Sequence, residues 1–511
     1  MKRFNDNALL IIFISFKLIL QFFACSSGFD LHMDEYLHLD QAHHMDWGYV
    51  SIPPLTSWIS YIIFLLGNSV FWVKFFPALF GVLTLVFVWE ITKALKGKTF
   101  ALILSALSII FSDLLHINTL FQPNSFDILC WTVTFYWLLL YIRENKNKWL
   151  FAISLTLAIG FLNKYNIGFL IAGLLPAIAL TKHRIIFKSE SFYVAVILFM
   201  VIILPNIIWQ LQHNFPVFTH MEELVSTQLI YYSRIEFLIK QLIEFAPAFF
   251  VIIFAFIGLI IYKPFILYRP ILYTYIIVII LYLLLQGKAY YALGLYPVLI
   301  SLGSVYIEHL TASKARYYFR YTAVSFIMII GITFFFISCP IFSLDKMMSN
   351  KSLLSIYEAT GQTTFNFGKQ IPIQDDYASM TGWRELAELV NSIYSNLPEK
   401  VKNNTFIFCD NYGEAGAINY YLNPIPRAGS FHADYINWFP DDKHIVKSLI
   451  YVKRWNGECD MEMLSFPFLP FSNITYVGSV RNNISKEYNT SVYLLTESKN
   501  VFTIGDIKMF Y

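Results

Sequence analysis

The sequence has 511 residues, 57% of them hydrophobic, 18% aromatic and only 14% charged, with a formal net charge of +3. Soluble domains carry about a quarter charged residues, so this balance excludes an ordinary soluble protein. The net charge says little by itself, its distribution along the chain says more, and no nucleic-acid partner is expected.

In chain order, Lys2 and Arg3 precede an apolar run from Ala8 to Ala24. Phe22-Phe23-Ala24-Cys25 loosely resembles the end of a cleaved or lipidated signal. The run is long for a signal peptide, which favours an uncleaved anchor. An acidic pair, Asp34-Glu35, follows shortly after this span and opens a long polar loop over 28–69. Within that loop Pro53 and Pro54 fix a rigid turn. The segment 55–67 is apolar but too short to span comfortably. Further spans are expected at roughly 70–92, 99–116, 124–142, 149–163, 165–181, 191–210, 237–262, 268–286, 289–308 and 317–338. With the first at 8–27 this predicts a polytopic α-helical membrane protein of about eleven spans, within a range of 11–13.

The connections alternate in character. Lys93 to Lys98, Arg143 to Lys148, Lys182 to Lys188, Lys263 to Arg269 and Lys314 to Arg320 are basic. The intervening loops are acidic, aromatic or histidine-containing. The positive-inside rule makes the basic loops cytoplasmic. An inside N-terminus and an odd number of spans then place the tail outside, as in a multi-pass inner-membrane protein with an extracytoplasmic C-terminal domain.

The composition turns mixed and polar from about Ser343, which divides the chain into a membrane domain, 1–340, and a soluble domain, 341–511. Trp383 to Leu397 has the spacing of an amphipathic helix. Thr405 to Cys409, Ser448 to Val452, Ile474 to Val480 and Ser491 to Thr496 read as strands, and Glu414 to Leu422 as a short helix. The tail is therefore expected to be a small α/β domain. Cys409 and Cys459 lie in it and can pair if it is extracytoplasmic. The chain has no internal repeat, P-loop or dinucleotide fingerprint.

On the predicted outer side the polar groups are unusual for loops. Asp34 and Glu35 are candidates for a general base and its orienting partner, against the plainer reading of a solvated loop. Asp127 lies just inside a span, where an ionisable group is a functional candidate and helix-to-helix hydrogen bonding the alternative. Lys164, and Lys288 with Tyr290 and Tyr291, are suited to meet a lipid phosphate or, more blandly, to anchor headgroups. His38, His43 and His44 fit no strong metal template. A divalent cation site would more plausibly recruit carboxylates with a distant residue such as His220 or Glu222.

The order Asp34-Glu35-Tyr36, Gly48-Tyr49, Pro53-Pro54-Leu55, Pro123 with Phe126-Asp127 and Trp131, Gly160 with Lys164, and Gly287-Lys288 with Tyr290-Tyr291 and Tyr296-Pro297 resembles the family 39 glycosyltransferases of the GT-C class. These include protein O-mannosyltransferases and the aminoarabinose transferases that modify lipid A. Gly382-Trp383-Arg384-Glu385-Leu386 and Asn411-Tyr412-Gly413-Glu414-Ala415-Gly416 look like the outer domain of bacterial members. The resemblance implies a sugar carried on a polyprenyl phosphate and a hydroxyl acceptor that attacks the anomeric carbon with inversion. Asp34 would be the base, Glu35 its support, Asp127 an orienting carboxylate, and Lys288 and Lys164 the partners of the leaving phosphate. One departure is Ile52, where many relatives carry a charged residue or histidine before the Pro-Pro-Leu turn. Two rivals stand beside this reading. A lipid-linked sugar transporter would show repeats and broken helices at mid-membrane. A non-catalytic scaffold would not require the acidic pair.

Overall fold

The structure, a computed structural model, describes residues 6–227, 229–231, 233–360, 363–366, 369–422, 427–454, 471–498 and 501–509. The chain forms two compact units. The first comprises Met1–Ser26, Asp46–Thr56 and Phe71–Ile341, and the second Ser27–Met45, Ser57–Val70 and Phe342–Tyr511. The C-terminal part of the second unit begins at Phe342. The contacts further assign two pieces of the long first loop to the second unit.

The described residues of the first unit form helices and their connections. Its long runs of Leu, Ile, Val and Phe have no water to satisfy their backbone in a bilayer, and a helix satisfies it internally. Among the described residues seven helices are long and apolar enough to cross: Asp6–Ala24, Val70–Ala94, Pro123–Glu144, Glu190–Gln212, Lys263–Leu284, Ala289–Leu310 and Tyr318–Ser338. Two bent pairs, Ile167–Ala179 with Lys182–Lys188 and Arg234–Ile243 with Ala246–Ile261, raise the number to nine if each is one span. The remaining two expected spans are short. Helix Thr99–Ile110 has 12 residues and Asn147–Asn163 has 17. At 1.5 Å per residue they reach about 18 and 25 Å, less than the ~30 Å hydrocarbon core.

Burial separates centre from periphery. Ala289–Leu310 is 89% buried and Pro123–Glu144 72%, whereas Glu190–Gln212 is only 17% buried and turns its apolar side chains outward. The two central helices share a core with Trp89, Trp131, Phe135, Val298 and Leu302. Two charged groups buried in this unit are matched. Lys17 Nζ donates to Asn118 Oδ1 at 3.0 Å. The Glu308 carboxylate accepts the backbone N–H of Lys98 at 2.7 Å and of Ala101 at 3.2 Å, capping helix Thr99–Ile110 where its dipole favours a negative charge.

The second unit is α/β, as the tail composition predicts. A hairpin of β1 (Thr364–Asn366) and β2 (Lys369–Ile371) precedes the main sheet. That sheet contains β3 (Thr405–Cys409), β4 (Gly429–Ser430), β5 (Ser448–Lys453), β6 (Phe471–Ser479) and β7 (Ser491–Ser498), in the order β4-β3-β5-β7-β6. β3 runs parallel to β4 and β5, and β7 antiparallel to β5 and β6. β3 is buried along its whole length, which is why it reads as a continuous apolar run rather than an alternation. Helices Trp383–Tyr394 and Tyr412–Tyr421 pack against the sheet, and Met33–Gln41 packs against Tyr412–Tyr421. Cys409 is a buried free thiol, and Cys459 lies outside the described residues.

Candidate functional site

The sequence-derived site residues fall into two clusters, one in each unit. In the second unit, helix Met33–Gln41 starts with a reciprocal cap. The His32 side chain accepts the Asp34 N–H, Nδ1 at 3.1 Å, and the Glu35 carboxylate accepts the His32 N–H at 2.7 Å. Glu35 is completely buried, so its visible task is to fix the first turn that carries Asp34. The Asp34 side chain stays 35% exposed.

A second cap of the same kind aims a partner at it. Asn411 Oδ1 accepts the N–H groups of Gly413 at 2.8 Å and Glu414 at 3.0 Å. Glu414 in return accepts those of Asn411 at 3.1 Å and Asp410 at 2.8 Å. This starts helix Tyr412–Tyr421 with Tyr412 in its first position, and the Tyr412 hydroxyl donates to Asp34 Oδ1 at 2.7 Å. Gly413 permits the approach. A Cβ there would sit 2.8 Å from the Trp383 ring and 3.2 Å from Met33 Cβ.

His32 completes the surroundings, with Nδ1 3.7 Å from Asp34 Oδ2 and Nε2 3.6 Å from Asp376 Oδ1. Because Nδ1 accepts the cap bond in the neutral ring, Nε2 carries the proton and faces Asp376. Burial opposes a charge on this imidazole, but Asp34, Asp376 and Glu35 outweigh it and raise its pKa above 6.5. For Asp34, burial alone would raise the pKa. The nearby imidazoles of His32 and His38 and the Tyr412 hydrogen bond outweigh that and hold it below 3.8. His38 is pushed down by burial. The arrangement keeps Asp34 ionised, oriented and reachable.

The second cluster belongs to the first unit. Asp127 lies one turn inside helix Pro123–Glu144 and is nearly buried. Trp131, one turn further on, donates to its Oδ1 at 3.1 Å, and Asn166 donates to its Oδ2 at 2.8 Å. Asn166 is held in turn by Tyr282, whose hydroxyl donates to Asn166 Oδ1 at 2.7 Å. Asn166 Nδ2 also reaches the Tyr291 carbonyl at 3.0 Å. Gly294 lets the segment Ala289–Leu295 close on Trp131, since a Cβ there would lie 2.5 Å from that ring.

Lys164, in the connection after helix Asn147–Asn163, donates to Asn124 Oδ1 at 2.6 Å. Its ammonium is 5.1 Å from the Tyr290 ring centre and 4.7 Å from that of Tyr291. Burial lowers its pKa to about 8, with Asp127 acting to raise it and the charge of Lys288 to lower it further. The structure therefore gathers Asp127, Lys164, Lys288, Tyr290 and Tyr291, as the sequence suggests. Asn124 and Tyr282, which sequence reasoning missed, join them. Asn124 was findable, because it lies beside Pro123 at a helix start, where amide side chains usually have a task. Tyr282 gave no local signal.

His220 and Glu222 lie on helix Pro216–Thr227. Among the described residues no three His, Cys, Asp or Glu side chains come together as a cation site.

Comparison with known proteins bears on the fold. Residues 51–209 match the family model described as dolichyl-phosphate-mannose-protein mannosyltransferase. No curated protein matches the sequence. The structure is similar to ArnT from Cupriavidus metallidurans bound to undecaprenyl phosphate, with a TM-score of 0.61 at 12% identity, covering 96% of this chain and 98% of that one. The apo form of that protein gives 0.60 at 11% identity with the same coverage. Archaeal oligosaccharyltransferase AglB from Archaeoglobus fulgidus gives 0.50 at 11% identity, covering 88% of this chain and 69% of that one. By fold and by the matched segment, this chain resembles the family 39-like membrane glycosyltransferases of the GT-C class.

Proposed function

We propose that this protein transfers a sugar from a polyprenyl-phosphate donor to a hydroxyl acceptor on the outer face of the cell membrane, with inversion and with Asp34 as general base. The observation that carries the reading is the paired capping that holds an ionised, solvent-reachable Asp34 against the Tyr412 hydroxyl. The donor class is supported by the similar fold of a protein bound to undecaprenyl phosphate. The basic loops support the outward orientation.

In this reaction the acceptor oxygen forms a bond to the anomeric carbon, whose bond to the phosphate oxygen breaks. The acceptor proton passes to Asp34, and the lipid phosphate departs with the bonding pair as a phosphomonoester. A carboxylate with a depressed pKa is a weak base for an alcohol in its ground state. Proton transfer therefore lags behind bond formation, once positive charge on the sugar has made the hydroxyl acidic. The phosphate gains charge as it leaves, so a cation aimed at it stabilises the transition state more than the bound substrate. Lys288 and Lys164 are assigned that task, with Tyr290 and Tyr291 bordering Lys164 and Asp127 orienting donor or acceptor. The test is Asp34→Asn in membranes, assayed for transfer from a panel of polyprenyl-phosphate sugars. Near-complete loss of transfer by a folded variant is expected, and full retention would end the proposal.

A further inference from the structure

The second unit holds a cavity of about 190 Å³ that the proposed chemistry does not use. Its wall is of two kinds. Tyr36, Phe64 and Tyr420 present ring surfaces, while Asn68, Asn419 and Arg427 present hydrogen-bonding groups. Asp40 at its edge is already matched, accepting from Asn419 at 2.6 Å, from Tyr435 at 2.7 Å and from Arg427. The guanidinium charge is thus compensated within the wall, which disfavours an anionic ligand. Asn68 is different. Its Oδ1 is buried and accepts no hydrogen bond among the described residues, although its backbone carbonyl is held by the Tyr420 hydroxyl at 3.1 Å. A buried acceptor without a donor calls for one from outside.

We infer that this cavity is a subsite for one uncharged sugar ring. Apolar cavities of about 150 Å³ accommodate benzene, so this space suits a six-membered ring with substituents. A pyranose has apolar C–H faces for the aromatic walls and hydroxyl edges that can donate to the unmatched Asn68 oxygen. Asp40 stands six residues beyond Asp34 on the same helix, about 9 Å along its axis and about 120° around it. The subsite is therefore separate from the base. It would hold a sugar belonging to the acceptor side, which rests on the glycosyltransferase reading only for the source of that sugar.

The experiment is ligand-observed NMR on the full chain in nanodiscs, with methyl glycosides of glucose, mannose, galactose and N-acetylglucosamine, and with inorganic phosphate as competitor. Asn68 has a φ of +52°, so Asn68→Gly removes the amide without backbone strain. His43→Trp narrows the cavity from an exposed position. Saturable binding of at least one glycoside is expected, weakened at least about ten-fold, or 1.4 kcal/mol, by either variant and undisturbed by phosphate. Asp34→Asn should leave this binding intact while abolishing transfer, which separates failure of the subsite from failure of the catalytic reading. No binding across the panel, binding unchanged in both variants, or displacement by phosphate would each overturn the inference.

Discussion

The contact between Tyr412 and Asp34 yields the sharpest expectation. Tyr412→Phe keeps the ring and removes only the hydroxyl that donates to Asp34 Oδ1 at 2.7 Å. Hydrogen bonds to charged groups contribute about 1.5–3 kcal/mol. The Asp34 side chain is 35% exposed, so solvent screening reduces this to about 1 kcal/mol. Loss of this bond removes one of the influences that hold the Asp34 pKa down, so that pKa should rise. The acidic limb of the pH–rate profile for sugar transfer should move upward with it. The rate at neutral pH should stay within a few-fold, because Asp34 is still ionised there. Stability gives an independent reading. The folded-state pKa of Asp34 lies below its ordinary 3.8, so its stabilising contribution is fully present above that value and is lost as pH falls through the folded one. The variant should unfold more easily than the wild type at pH 7, and the gap should close at strongly acidic pH. An unmoved acidic limb would refute the assigned bond. Loss of transfer as complete as in Asp34→Asn would mean that the Tyr412 hydroxyl itself meets the reacting atoms.

Three more outcomes follow from the first unit. Asp127→Asn offers one acceptor oxygen to two donors, Trp131 and Asn166, so one donor meets an NH₂ group. A loss of about 1–3 kcal/mol is expected in thermal unfolding in detergent, together with a strong fall in transfer; unchanged stability would contradict the described bonds. Lys288→Ala should weaken donor binding at least about ten-fold, or 1.4 kcal/mol, read as a raised KM for the polyprenyl-phosphate donor, and unchanged affinity and rate would remove Lys288 from the site. Gly294→Ala places a methyl group 2.5 Å from the Trp131 ring. It should cost about 1–3 kcal/mol by overpacking and lower transfer through the displaced Trp131–Asp127 pair, whereas a neutral result would show that the segment yields freely.

Much of the architecture was legible because it depends on local composition. Seven of the expected spans coincide with long apolar helices, and four strands of the second unit lie within a few residues of their predicted positions. The eleven spans exceeded the seven to nine that length and composition support, because hydropathy does not register where a helix stops. The 99–116 run is mostly apolar, yet its helix ends at Ile110, before Ser112-Asp113. The pieces of the first loop assigned to the second unit were also hidden. Their partners lie more than 300 positions away, as in the bond of Tyr420 to the Asn68 carbonyl and that of Tyr412 to Asp34.

The same distinction governs the site. Asp34, Asp127, Lys164 and Lys288 stood out because a charged group beside an apolar run is costly to desolvate and so carries a signal wherever it occurs. Tyr282 and Asn166 carry none, for a tyrosine or an amide at a span end is ordinary in a membrane protein, and Tyr412 is one tyrosine among several in the α/β unit. Their importance arises from what they touch. One part of that information was nevertheless written locally. Asn411-Tyr412-Gly413-Glu414 has the spacing of a capping box, which fixes a helix start and hence the direction of the side chain in its first position. A glycine beside that position announces a close neighbour. Reading the motif as a device for aiming Tyr412, rather than only as a family mark, would have pointed to a target, though not to Asp34. That choice belongs to the packing of helix Met33–Gln41 on helix Tyr412–Tyr421. In the second unit Asp34 and the hydroxyl that tunes it are therefore linked by tertiary structure alone, and substitutions along that helix pair should change the Asp34 pKa without touching either residue.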